Sequence, residues 1–238
     1  MGETVNQEEG FLHRTYLAIT NPKRFLKTVA LRPDYMGVLY IIAYITLIAL
    51  LEYLRISKFI GVIAEALGEE LSIVRSMILS RNISLIVIFY LSITLFTYTI
   101  LSLITVGILR ISVKVKEDLW EIFKVLSYYT IYSIVAMVVA TIIAATIPPL
   151  RGVHVSPGLG RFLITIAQKY VSSGAIQSKI KVIRALTFTS TMTPIMLLPV
   201  AMRTRYRVTG RVIITVTLIC FIITFIIFKA ISLASARI

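Results

Sequence analysis

The stretch Ser84–Leu109, SLIVIFYLSITLFTYTILSLITVGIL, decides the fold, because it runs its whole length without one charged side chain. A helix rising ~1.5 Å per residue needs roughly 20 largely apolar residues to cross the ~30 Å hydrocarbon layer. This stretch exceeds that, with length left for tilt or for projection past the core. Similar runs lie at Met36–Leu54, Ile122–Ile147 and Val212–Leu233. A shorter one at Ala185–Met202 is rich in Thr and carries Pro194 and Pro199. Proline is tolerated in a span whose neighbours satisfy the freed carbonyls, and it usually kinks the helix. The sequence therefore predicts an all-α, polytopic transmembrane helical bundle with five spans. The membrane domain covers 36–233, with an N-terminal segment 1–35 and a short tail 234–238.

Composition agrees. Of 238 residues 58% are apolar and 15% charged, against under half and about a quarter in soluble domains. A single soluble core of this size leaves too much surface in water to hide that excess. The net charge is +14. Every acidic residue lies at or before Glu121, so nearly all of the positive charge falls in the second half. The basic residues sit between apolar runs, which fits attraction to anionic lipid headgroups rather than nucleic-acid binding. A lone Cys220 cannot form an intrachain disulfide. No secretory signal peptide is expected, since the first ten residues carry Glu3, Glu8 and Glu9.

Three further segments are expected to be interfacial amphipathic helices. Asn21-Pro22 is a helix start, with Asn as cap and Pro at the first helical position. Phe25, Leu26 and Val29 then share a face that Lys23, Arg24 and Lys27 avoid; Pro33 ends the helix, and Asp34 is placed to cap the first span. From about Ser57 to Leu79, Ile60, Ile63, Leu67, Leu71, Val74 and Ile78 make a helical stripe that either lies in the headgroup plane or covers the span ends. The third, Arg161–Arg184, is basic, with a break expected at Ser172-Ser173-Gly174.

Lys and Arg beside the spans set orientation. The short turn with Arg203, Arg205, Arg207 and Arg211 is expected in the cytoplasm, in contact with headgroups. Arg110, Lys114, Lys116 and the basic N-terminal segment share its side. The loop between spans three and four is equally rich in Lys and Arg but longer, with its charges diluted, so the short loops decide: with five spans the N-terminus is expected to be cytoplasmic and the C-terminus outside.

Few residues offer chemistry. Glu52 has Arg55 three residues on, the spacing of an interfacial ion pair, and is the alternative carboxylate for a transporter. Thr187, Thr191 and Pro194 mark the fourth span as a kinked, hydroxyl-rich helix that either lines a polar cavity or bonds back to its own carbonyls. Ala136, Ala140 and Ala144, four apart, form a small-residue packing face. Tyr128, Tyr129 and Tyr132 belong to an aromatic belt or to interior packing. His13 and His154 fall in loops on opposite sides and cannot share a metal. Asn82-Ile83-Ser84 fits a glycosylation pattern but abuts the second span. With no phosphate loop, paired Cys motif or nucleophile elbow in the sequence, no cofactor, metal or catalytic site is expected.

The segment Asn21-Pro22-Lys23-Arg24-Phe25 through Arg32-Pro33-Asp34-Tyr35-Met36-Gly37, leading directly into a span, resembles the opening of Yip-domain proteins. These are Ypt/Rab-interacting membrane proteins and their prokaryotic relatives. Leu198–Gly210, a span end and basic turn before a last hydrophobic span, is similar to the later part of that pattern. The resemblance covers roughly residues 18–233. Val38 stands where members often have Pro, and the long cytoplasmic tail of eukaryotic members has no counterpart here. The resemblance thus implies membrane organisation or trafficking-like roles, and these departures remove the ground for expecting GTPase binding. The expected function is a non-enzymatic membrane protein working through anionic lipids, other membrane proteins or copies of itself. A small transporter or channel, and an accessory subunit of a membrane complex, are the alternatives.

Overall fold

A computed structural model describes residues 10–58, 71–114, 118–149 and 174–235, with side chains for all but 71–83 and 230–235. The described residues hold no strand. Two short helices come first, α1 (Phe11–Thr20) and α2 (Pro22–Leu31), then a 3-10 turn at Tyr35–Gly37. Long helices follow: α3 (Val38–Ser57), α4 (Leu71–Val113), α5 (Leu119–Ala145), α6 (Gly174–Ala201) and α7 (Gly210–Ser235). A π-helical turn at Met202–Tyr206 continues from α6. Helices suit this sequence because each satisfies its own backbone polar groups, the condition for existing in hydrocarbon.

Five of these segments are long and apolar enough to cross a membrane: Tyr35–Ser57, Ser84–Val113, Leu119–Ala145, Gly174–Tyr206 and Gly210–Lys229. The chain is a multi-pass, all-α membrane protein. The second and fifth bury only 17% of their most apolar windows. Leu85, Ile88, Leu103, Ile214, Leu218 and Ile226 therefore stand exposed, as lipid-facing residues do.

The helix ends follow local chemistry. Asn21 Oδ1 accepts the Arg24 N–H at 3.1 Å, closing the first turn of α2 behind Pro22. Asp34 Oδ1 accepts the Met36 N–H at 2.9 Å. Lys114 (φ 55°) and Arg207 (φ 50°) adopt left-handed backbone just after α4 and the π turn, which ends each run.

Several expected boundaries move. The fourth crossing is not a short helix from Ala185: α6 begins at Gly174, so residues 174–184 extend it instead of forming a separate interfacial helix. The expected break at Ser172-Ser173-Gly174 coincides with its start; the rest of the third amphipathic segment lies outside the described residues. Likewise 71–79 is continuous with the second crossing in α4, and 59–70 lies outside the described residues. Nothing in Leu71–Val113 breaks a helix, so an amphipathic stripe and a span fuse into one rod. Residues 11–20, read as a loop around His13, are helix α1.

The chain divides into two compact units, one of Met1–Ile41, Phe96–Tyr132 and Met192–Ile238, the other of Ile42–Leu95 and Ser133–Thr191. In the first, Phe25, Ile41, Leu101, Leu126, Tyr128 and Leu198 are completely enclosed. The second is centred on Tyr44, Ile45, Ile48, Met137, Ala140 and Ile183.

Candidate functional site

In the first unit the N-terminal helices are clamped onto α5. Arg14 on α1 reaches Asp34 Oδ2 at 2.9 Å and donates to Tyr128 Oη at 3.2 Å. Its guanidinium lies 5.3 Å from the centre of the Tyr128 ring, within cation–π range. Tyr128 Oη in turn donates to Asp34 Oδ1 at 2.5 Å. Asp34 thus caps a backbone turn, pairs with a cation and accepts from a phenol. Gly37 permits the approach: a Cβ there would lie 2.8 Å from a Tyr128 ring carbon and 3.0 Å from its backbone nitrogen. The Thr15 and Tyr40 hydroxyls lie 2.7 Å apart, tying α1 to the first crossing.

The apolar face of α2 is spent on protein. Phe25 and Val29 are fully enclosed, with Phe25 meeting Tyr128 and Tyr132 edge-on at centroid distances of 6.2 and 6.0 Å. Tyr129 donates to the Leu26 carbonyl at 3.4 Å and Tyr132 to the Ala18 carbonyl at 3.3 Å. All three tyrosines on α5 therefore pack against the N-terminal helices.

A second polar group holds the basic turn in the same unit. Arg205 pairs with Glu121 at 3.1 Å and donates to the Ala30 carbonyl at 3.3 Å. Glu121 also accepts from Lys124 at 2.8 Å, and the Lys124 ammonium sits 4.3 Å above the Tyr35 ring. Arg205, expected to meet headgroups, is thereby a mostly buried anchor. Arg203, Arg207 and Arg211 are exposed, as are Lys23 and Lys27 on α2, which touches the turn.

In the second unit the hydroxyls of the fourth crossing bond inward. Thr187 donates to the Ile183 carbonyl at 2.9 Å and Thr191 to the Thr187 carbonyl at 3.0 Å. Ser190 donates to the Thr187 carbonyl at 2.7 Å. Its one proton is committed, so Tyr44, 3.2 Å away, is the donor of that pair. Pro194 has no N–H to offer the Ser190 carbonyl four residues back. That carbonyl instead accepts from Ser133 on α5 at 2.6 Å, a buried bond. At Pro194, a neighbouring helix thus repairs the ladder.

The other candidates are placed as follows. Glu52 pairs with Arg55 at 2.7 Å. Ala140 and Ala144 are buried on α5 and Ala136 half-buried. Cys220 is enclosed, its sulfur 3.9 Å from the Thr105 hydroxyl. The Asn82-Ile83-Ser84 pattern lies inside α4; His154 lies outside the described residues. Among the described residues no three His, Cys, Asp or Glu side chains gather as a metal would require. Sequence reasoning missed Arg14 and the Arg205–Glu121 pair. The signal available was Arg14, the one arginine or lysine of a 10-residue helix, on the face it shares with Leu17 and Ala18, where a charge needs a partner.

Comparison with protein-family models, curated proteins and solved structures gives no match.

Proposed function

We propose that the chain is a non-enzymatic, Yip-like integral membrane protein that organises membrane or recruits partners through a basic cytoplasmic face. The observation that carries this reading is the anchored turn. Arg205 is tied to Glu121 and Ala30, while Arg203, Arg207 and Arg211 remain exposed beside Lys23 and Lys27. A basic surface held in fixed geometry attracts anionic headgroups, at roughly 1 kcal/mol per basic residue near the surface. Of the described carboxylates, Asp34 is paired with Arg14, Glu52 with Arg55, and Glu121 with Lys124 and Arg205, while Asp118 accepts the Trp120 N–H at the start of α5. Transport along the fourth crossing has less support, because Thr187, Ser190 and Thr191 spend their protons on helix carbonyls.

Orientation follows from the same turn. In the first unit, Lys124–Tyr35 and Arg205–Glu121 gather the start of α3, the start of α5 and the turn after α6 at one end. In the second, Lys58 reaches the Ala145 carbonyl and Lys179 the Thr146 carbonyl, gathering the opposite termini of α3 and α5 with the start of α6. Density of Lys and Arg in the short turn assigns the first of these ends, with the N-terminus, to the cytoplasm.

Lipid analysis of the purified protein tests the function. Wild type extracted in mild detergent is expected to retain anionic phospholipid above its share in the membrane. The triple variant R203Q/R207Q/R211Q should lose most of that enrichment and the recovery of any co-purifying protein. Unchanged lipid and unchanged protein recovery would overturn the proposal.

A further inference from the structure

With its inner face clamped, α1 leaves its outer face unexplained. Arg14, Leu17 and Ala18 are turned inward, yet Leu12, Tyr16 and Ile19 are 81%, 62% and 78% exposed. Their spacing of four and three residues makes one stripe on one helix face. Three large apolar side chains in water are not accounted for by a helix that has already buried its inner side. The two threonines of α1 do not make the face polar, since Thr15 donates to the Phe11 carbonyl and Thr20 to the Tyr16 carbonyl, both at 2.9 Å.

Depth identifies what meets the stripe. The charged edge of this unit is marked by Glu121, Lys124 and Arg205, with Lys124 level with Tyr35, where the first crossing begins. Tyr132, which holds the Ala18 carbonyl, lies eight residues further along α5, or ~12 Å at ~1.5 Å per residue. Side chains on a helix lean toward its N-terminus, which takes back up to about one turn, ~5 Å. Ala18 thus lies roughly 7–12 Å on the hydrocarbon side of the charged edge, overlapping the ~5–10 Å depth at which in-plane amphipathic helices rest. The start of the first crossing, which touches α1 through Tyr40, likewise exposes Met36 and Leu39. Lys23 and Lys27 on α2 supply charge complementary to anionic headgroups.

We propose that α1 is an in-plane membrane helix whose Leu12–Tyr16–Ile19 stripe is seated among lipid acyl chains at the headgroup boundary, with Lys23 and Lys27 on the water side. This rests on the multi-pass architecture and not on the recruiting role, so either can fail alone.

Single cysteines at Leu12, Tyr16, Ile19 and Lys23, each in a Cys220→Ser background, carry a spin label after reconstitution into phosphatidylcholine–phosphatidylglycerol vesicles. Labels at 12, 16 and 19 are expected to be relaxed several-fold more by oxygen than by a water-soluble nickel chelate, and the label at 23 the reverse. Nickel dominance at 12, 16 and 19 places the stripe in water. Low accessibility to both reagents places it against protein, a second copy included. Either outcome overturns the proposal. Tyr16→Trp in a Trp120→Phe background repeats the measurement without a label: brominated acyl chains should quench its fluorescence and iodide should not.

Discussion

Asp34 meets three donors at once, the Met36 N–H, the Tyr128 phenol and the Arg14 guanidinium, and its substitutions separate those roles. Asp34→Ala strands a mostly buried cation and should destabilise the protein by about 1–3 kcal/mol, below the cost of breaking a fully buried pair because the Asp34 side chain is 45% exposed. Asp34→Asn keeps a carbonyl oxygen for the cap and the phenol and should cost clearly less. Unfolding in mixed detergent–SDS micelles gives both values. Gly37→Ala is the steric counterpart: its Cβ meets the Tyr128 backbone at 3.0 Å, which cannot swing aside. The expected loss is about 1–3 kcal/mol, and Gly37→Ala melting with wild type would show that α3 and α5 have room to part. Part of this cluster was legible in advance. Asp34 was readable as a cap from Pro33-Asp34 ahead of an apolar run. Its pairing with Arg14 and Tyr128 was not, because partners 20 and 94 positions away leave no local pattern.

Among the elements, the apolar runs were readable because length and hydropathy alone determine a crossing, whereas helix ends depend on backbone events that composition does not encode. The fourth crossing shows the difference. Its short apolar run suggested a short helix and its prolines a kink, yet the helix runs without interruption over Gly174–Ala201, with Ser133, on another helix, taking up the carbonyl that Pro194 leaves open. α2 shows the opposite error. Its amphipathic face was correctly placed at Phe25 and Val29, but periodicity cannot tell lipid from protein as the occupant, and here the occupants are Tyr128 and Tyr132. A double-mutant cycle tests the repaired ladder. Ser133→Ala should cost about 1–2 kcal/mol by leaving a buried carbonyl unmet. In a Pro194→Ala background the helix supplies its own N–H, and the same substitution should cost much less. Equal costs in both backgrounds would mean that the Ser133 hydroxyl does not compensate for the proline.

At the scale of the whole molecule, hydropathy alone anticipates five crossings, and each compact unit adds which termini share an end. The start of α3, the start of α5 and the 202–206 turn are joined in one unit; the termini of α3 and α5 and the start of α6 are joined in the other. A five-crossing path, with the basic turn proposed to face the cytoplasm, is the central claim, since the lipid-binding proposal depends on both and the in-plane-helix proposal on the crossings alone. Cysteine accessibility in intact cells tests it most directly, with single cysteines at Gly10, Lys58, Lys114, Pro149 and Thr209 in a Cys220→Ser background. A membrane-impermeant maleimide should label positions 58 and 149 from outside, and positions 10, 114 and 209 only after permeabilisation. Labelling of 10 together with 58, or of 149 together with 209, would contradict the five-crossing path.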